Sequence, residues 1–309
     1  MAEDSVLISR PDGGSPEELT TSGERSAVAL RQVDNRSIQE IAQVFGDADT
    51  ATRVSDASGL PVRRMDNFFT NAAIGNLSGV STINKFGRNP DIDKTAEIIW
   101  ATGGAKTVHT AAVTIEVISG DGNDTAAGSG AQEITIQYID NNWAQQSGTI
   151  QTNGTSASTE TIVNVLRVNR AFVSRSGTYG GNNDGNITVR VESAGVTFVT
   201  ILAGKGQTET TFYTIPTGNT LAISKVTLAV DSTKTASGEL FAVRTADDVT
   251  TPFTATKRKL WGVSGIQGAH TEEIVPPFIV VGPADVFLEG ASAANDTEVE
   301  GSYNGVLYS

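Results

Sequence analysis

The side chains able to do chemistry in this 309-residue chain are few, and their spacing does not suit catalysis. There is no cysteine, which removes thiolate nucleophiles, thiolate metal sites and disulfides together. His109 and His270 are the only imidazoles. Neither belongs to an HExxH pattern, a two-histidine facial set or a Ser-His-Asp order with a nucleophile elbow. Both are expected to be surface or interface histidines. Asp91, Asp93 and Glu97 form one oxygen-rich set, and Asp121, Asn123 and Asp124 a second. Neither follows the calcium loop that ends in a bidentate glutamate, and Asp/Asn turns explain both without a cation. Glycan cleavage needs two carboxylates facing each other across a cleft, whereas the acidic residues here fall mostly in turns or at outward strand positions. No β-helix period is present. The stretch AGKGQT, with Gly204 and Gly206, lacks the Lys-Ser/Thr pair and following helix of a phosphate loop. The expectation is no catalytic residue, no metal site and no cofactor. Among aromatic residues, Trp143 within DNNWAQQ is the best candidate for an exposed contact, and Tyr303 is assigned to an interface because Val299, Gly301, Tyr303, Gly305 and Leu307 put small and aromatic residues on one strand face.

The elements that must carry these residues are β-strands. Thirty-two glycines, two methionines and abundant Thr, Ser, Val and Asn alternate β-branched residues with turn formers, so the chain is expected to be all-β. Thirty-five acidic against twenty-two basic residues leave a net charge of −13, which repels a phosphate backbone and argues against nucleic acid as a partner. The first residues lack the basic start and apolar core of a signal peptide, and no apolar run is long enough to span a bilayer, so no membrane association is expected.

Period-two alternation marks half-buried strands at Val113, Ile115 and Val117, at Ile134, Ile136 and Tyr138, and at Ile187, Val189 and Val191. Glycine- and asparagine-rich turns such as SGDGND and YGGNNDGN separate them. Between Val163 and Val173 the alternation slips, as at a bulge or where a strand changes sheets. A second set of strands runs from Leu221 to the C-terminus. The domain reading is an extended arm over residues 1–93, then two β-sandwich modules of jelly-roll type over residues 94–203 and 204–309. Within the arm, SIQEIAQVFG predicts one short amphipathic helix, with Ser37 and Glu40 as a capping box and Ile38, Ile41 and Phe45 on its apolar stripe. That stripe, with the scattered Val54, Leu60, Val62, Phe68, Phe69 and Phe86, is the expected anchoring interface. Aromatic residues make up only 6% of the chain, so each module has a thin core and self-association is expected to cover apolar faces and edges.

The segments INKFGRNPDID and AEIIWATGG, over residues 83–93 and 96–104, resemble a signature of virion structural proteins of tailed bacteriophages, including cyanophages. The later blocks VLRVNRAFV, GGNNDGNITVRV, LAGKGQT and VEGSYNGVLYS look like the same family, so the resemblance covers roughly residues 83–309. It implies a virion location and a structural role as capsid decoration, head fibre or tail component. The implied partners are other copies of the chain as a homotrimer and other virion proteins such as major capsid or tail proteins, with a host surface glycan as a further candidate. Alternatives of the same origin are a glycan-binding or glycan-degrading tail module and a neck or tail ring component. Where that family often reads DEDIW, this chain has Ala96, Glu97, Ile98, Ile99 and Trp100, which removes support for any role resting on two carboxylates there.

Overall fold

The computed structural model describes residues 68–309 in full and, before them, the backbone of four short strands. The chain divides into two compact units, Met1–Asn67 and Phe68–Ser309. In the first, β1 (Ser5–Ile8) pairs antiparallel with β2 (Glu17–Thr20), and β3 (Val28–Val33) with β4 (Arg36–Ile41). The helix expected from Ser37 is corrected here, because Ile38 and Ile41 lie in a strand. The register of β3 with β4 runs from Val28↔Ile41 to Val33↔Arg36. Two paired β-branched segments outweigh a short helix that is marginal in water. Phe45, Val54, Leu60 and Val62 lie outside the described residues. The one helix among the described residues is α1 (Phe68–Ala73), at the start of the second unit.

The second unit contains a jelly roll. One of its sheets has the order β17 (Gly268–Val281), β14 (Thr220–Val230), β19 (Thr297–Tyr308), β5 (Val80–Ile92). The facing sheet runs β16 (Lys257–Ile266), β15 (Ala236–Arg244), β18 (Ala284–Ser292), and two short pieces, β6 (Glu97–Ile98) and β13 (Tyr213–Ile215), share the outer edge of β18. Counting those pieces as one strand gives eight strands in sheet orders 1-8-3-6 and 2-7-4-5, all antiparallel, which is the two-Greek-key jelly-roll connectivity. Between the sheets lies a core that includes Leu221, Ile223, Leu228, Leu240, Leu288 and Val299.

The arm boundary expected at residue 93 therefore moves back to Phe68. β5 is the first strand of the jelly roll, in register with β19 from Val80↔Tyr308 to Ile92↔Thr297. It fits tightly: a Cβ on Gly87 would lie 2.5 Å from the Ile99 carbonyl oxygen and 2.7 Å from the Thr211 nitrogen, and Ile92 is fully buried.

The first β module is an insertion, not a preceding domain. Ile99 N–H donates to the Leu288 carbonyl (2.9 Å), and Thr211 N–H donates to the Ile99 carbonyl (3.0 Å). Ala101 N–H donates to the Glu209 carbonyl (2.9 Å), so the chain leaves and re-enters the second strand of the jelly roll at adjacent points. The inserted residues form a single six-stranded sheet, β12 (Thr197–Ile201), β11 (Ile187–Val191), β7 (Val113–Ser119), β10 (Ile162–Ser176), β8 (Ala131–Asp140), β9 (Gln145–Gln151). Repeated register shifts in β10 bend it so that it pairs with β7 at one end and β8 along the other, and the sheet rolls over its own core of Ile115, Ile136, Ile150, Val189, Phe198 and Ile201. The slipped alternation read at 163–173 is this bend, and one rolled sheet takes the place of the expected two-sheet sandwich.

Candidate functional site

The two modules meet across a buried polar seam. Arg167 on β10 and Asp285 on β18, each about 5% exposed or less, form an ion pair (Nη2 to Oδ2, 3.2 Å), and Thr214 Oγ1 donates to the other carboxylate oxygen (2.5 Å). Asn169 spends its whole amide here: Oδ1 accepts from Thr214 N–H (2.7 Å), and Nδ2 donates to the Thr214 carbonyl (2.9 Å) and to Gln145 Oε1 (3.0 Å). Trp143, the expected exposed contact, is half-buried at this seam: its carbonyl accepts from Thr217 N–H (2.9 Å) and its ring lies 5.2 Å from the Arg167 guanidinium.

Three further basic side chains crowd the seam. Lys106 lies 4.4 Å above the Trp100 ring and donates to the Phe198 carbonyl. Burial, with Lys85 and Arg167 nearby, pulls its pKa down to about 7. Lys85 on β5 donates to the Asn169 carbonyl (2.7 Å), and burial together with Arg170 lowers its pKa to about 7 as well. His109 stacks on Phe198 (4.6 Å between ring centroids). Its Nε2 is buried without a hydrogen-bond partner among the described residues, and burial, Arg167 and Lys106 hold its pKa below the ordinary imidazole value.

Above this seam opens a groove of about 640 Å³ between β5 and the β8, β9 and β10 side of the inserted sheet. Asn84 and Phe86 come from β5, Gln137 from β8, Gln146 and Ser147 from β9, and Arg170 from β10. Some of these side chains are already oriented: Arg170 Nη2 donates to Gln207 Oε1 (2.7 Å) and its guanidinium lies 4.8 Å from the Phe172 ring, while Gln146 Nε2 donates to Asp140 Oδ2 (3.1 Å). Sequence reasoning missed this groove, although it singled out the DNNWAQQ segment that supplies Gln145 and Gln146.

The other expected site residues are dispersed. Tyr303, assigned to an interface, is corrected to a core residue: it is fully buried, with its hydroxyl near the Thr211 (2.9 Å) and Val286 (3.3 Å) carbonyls. The flanking Gly301 and Gly305 are what let β19 close against Leu288, Ile99 and Ala222. Phe68 and Phe69 of α1 are 40% and 60% exposed and meet edge to face (5.5 Å). Phe86 is partly exposed at the groove rim. Asp91, Asp93 and Glu97 do not converge: Glu97 Oε2 accepts from Gly104 N–H (2.8 Å) and Asn89 Nδ2 (3.2 Å), whereas the Asp91 carboxyl is held above its ordinary pKa by hydrogen bonding to Asp296. In the other set, Asp124 is fully buried and accepts from Ala131, Asp184 and Gly185 N–H and from the Ser119 hydroxyl (2.5–2.9 Å), so four protein donors occupy its oxygens. Among the described residues no three His, Cys, Asp or Glu side chains gather as a metal-ligand set. His109 lies at the module seam, and His270 lies 3.7 Å from Glu272 on β17.

No family model matches the chain, and no curated protein matches it. Among solved structures, one of the infectious bursal disease virus Gt strain aligns over 74% of this chain and 70% of its own, with 9% identity and a TM-score of 0.20. The infectious bursal disease virus VP2 subviral particle aligns over 74% and 72%, with 10% identity and a TM-score of 0.23. Likeness at that level carries no argument about this chain.

Proposed function

We propose that this protein is a non-enzymatic structural component of a tailed-phage particle, joined to other virion proteins through its N-terminal unit and acting as capsid decoration, head fibre or tail component. The observation that carries the reading is where the phage-like sequence blocks fall. INKFGRNPDID supplies most of β5, AEIIWATGG holds β6 and the start of the insertion, and VEGSYNGVLYS supplies most of β19. GGNNDGN and LAGKGQT are joined through Asn183, which donates to the Gly185 and Leu202 carbonyls (2.7 and 2.8 Å) and accepts from Gly206 N–H (3.0 Å). The resemblance thus lies on the framework that holds the jelly roll and its insertion together, as expected of a family defined by architecture and not by a reaction.

The separate unit Met1–Asn67 and the exposed Phe68 and Phe69 that follow it suit an anchor. A homotrimer is the assembly proposed, since closed cyclic symmetry covers sheet edges without open-ended growth. No nucleic acid or membrane partner is proposed. The test is to purify particles of the phage encoding this chain, label them with antibody to residues 68–309, and measure the mass of the free protein by light scattering. Label on intact particles and a trimer in solution support the reading. Particles lacking the protein overturn it, and a monomer removes the trimer.

A further inference from the structure

We infer that the groove between β5 and the inserted sheet is a binding site for an anionic saccharide, a sugar carrying a carboxylate. This goes beyond a structural role and does not depend on it. The first ground is charge. On a chain with thirty-five acidic residues against twenty-two basic ones, the groove lining contains Lys85 and Arg170 and no carboxylate. On such a surface a carboxylate-free hollow that presents the exposed Arg170 guanidinium is a local reversal of sign, and it favours entry of an anion.

The second ground is the hydrogen-bonding inventory. Asn84 and Gln137 make no side-chain hydrogen bond among the described residues, and Gln146 and Gln207 each keep one end of the amide unspent. A carboxamide offers a donor and an acceptor side by side, which matches the hydroxyl groups of a sugar ring. Arg170 lies over the Phe172 ring and is braced by Gln207, leaving guanidinium N–H groups for a carboxylate. Partly exposed Phe86 at the rim supplies an apolar face for the C–H side of a sugar ring. The volume, about 640 Å³, falls in the range of small-ligand clefts. An acidic peptide such as oligoglutamate would satisfy the charge and pair with the amides, but it offers no ring face for Phe86.

The test is isothermal titration of the full chain at low ionic strength with trigalacturonate, neutral galactotriose and triglutamate. Trigalacturonate is expected to bind at least about tenfold more tightly than galactotriose, because the charge-assisted contact to Arg170 is absent from the neutral sugar. Arg170 and Ser147 are both exposed, so Arg170→Gln and Ser147→Trp should keep the wild-type melting temperature. The first is expected to weaken trigalacturonate several-fold, and the second, which fills the groove, to abolish binding. If trigalacturonate gives no heat at millimolar concentration, or binds both variants as it binds wild type, the assignment is overturned. Triglutamate binding as tightly as trigalacturonate also overturns it, in favour of an acidic peptide.

Discussion

Replacing Asp285 with alanine should cost the folded unit about 3–5 kcal/mol, the range for breaking a buried ion pair by removing one partner. The carboxylate accepts from Arg167 Nη2 (3.2 Å), from Nε (3.4 Å) and from the Thr214 hydroxyl (2.5 Å). Without it, Arg167 keeps only the carbonyls of Leu166 and His109 as acceptors among the described residues. It would then sit as an uncompensated cation beside Lys106, whose pKa it already depresses. Arg167→Met removes the other half and strands a buried carboxylate, with a loss of similar size expected. The double variant removes both charges, so its loss should fall short of the sum of the single losses by about 2 kcal/mol or more. Urea denaturation of the full chain at pH 8, followed by far-ultraviolet circular dichroism, gives all four stabilities. A loss below about 1 kcal/mol for Asp285→Ala, the range of an exposed pair, would refute the account of the seam, as would strict additivity of the two substitutions.

A chain beginning at Phe68 should fold with the circular dichroism and urea midpoint of the second unit, whereas one beginning at Lys94 loses β5 and should aggregate; a soluble, cooperatively folded Lys94 start would contradict the topology. Tyr303→Phe should cost about 1–3 kcal/mol, since the buried hydroxyl's hydrogen bond to the Thr211 carbonyl is lost, and a denaturation midpoint equal to wild type would argue against that contact. Lys85 and Lys106 have pKa values near 7 in the fold against an ordinary 10.5, so between about pH 7 and pH 10 the unfolded chain binds more protons and stability rises with pH. The rise is up to about 1.4 kcal/mol per pH unit for each lysine. Urea midpoints at pH 6.5 and pH 9 check the sign, and Lys106→Met should flatten the slope.

What could be read in the sequence was what is local. Alternation at Val113–Val117, Ile134–Tyr138 and Ile187–Val191 marked strands because one face of each is buried in its own module, and the slip after Val163 marked the bend in β10. β5 reads as extended chain in the sequence because its side chains include Asn84, Lys85, Arg88 and Asn89, and the partners of such residues are remote: Arg88 pairs with Glu298 (2.7 Å) and Lys85 with the Asn169 carbonyl. Tyr303 reads as a contact in the sequence because a one-faced aromatic strand looks the same whether the face meets a neighbour or its own opposite sheet. The groove was hidden for a related reason, since its polar residues are supplied by separate strands that only the insertion brings together.

The insertion itself illustrates why a split strand escapes a linear reading and yet is stable. The second jelly-roll strand is carried by two fragments, β6 and β13, each too short to show a period. What joins them is hydrogen bonding around Thr211: its hydroxyl is within reach of the Ile99 and Leu288 carbonyls (3.1 and 3.3 Å) and accepts from Leu288 N–H (3.1 Å). The threonine side chain thereby takes over a ladder position that the interrupted backbone cannot fill, and the Leu288 amide is paired at the break. Because the chain departs and returns side by side, at Trp100 and Thr210, the inserted module adds little loop-closure cost to the jelly roll it interrupts. The ion pair of Arg167 with Asp285 and the braced amide of Asn169 then fix the insertion against β18 and Thr214, which turns a tolerated interruption into one wall of the groove.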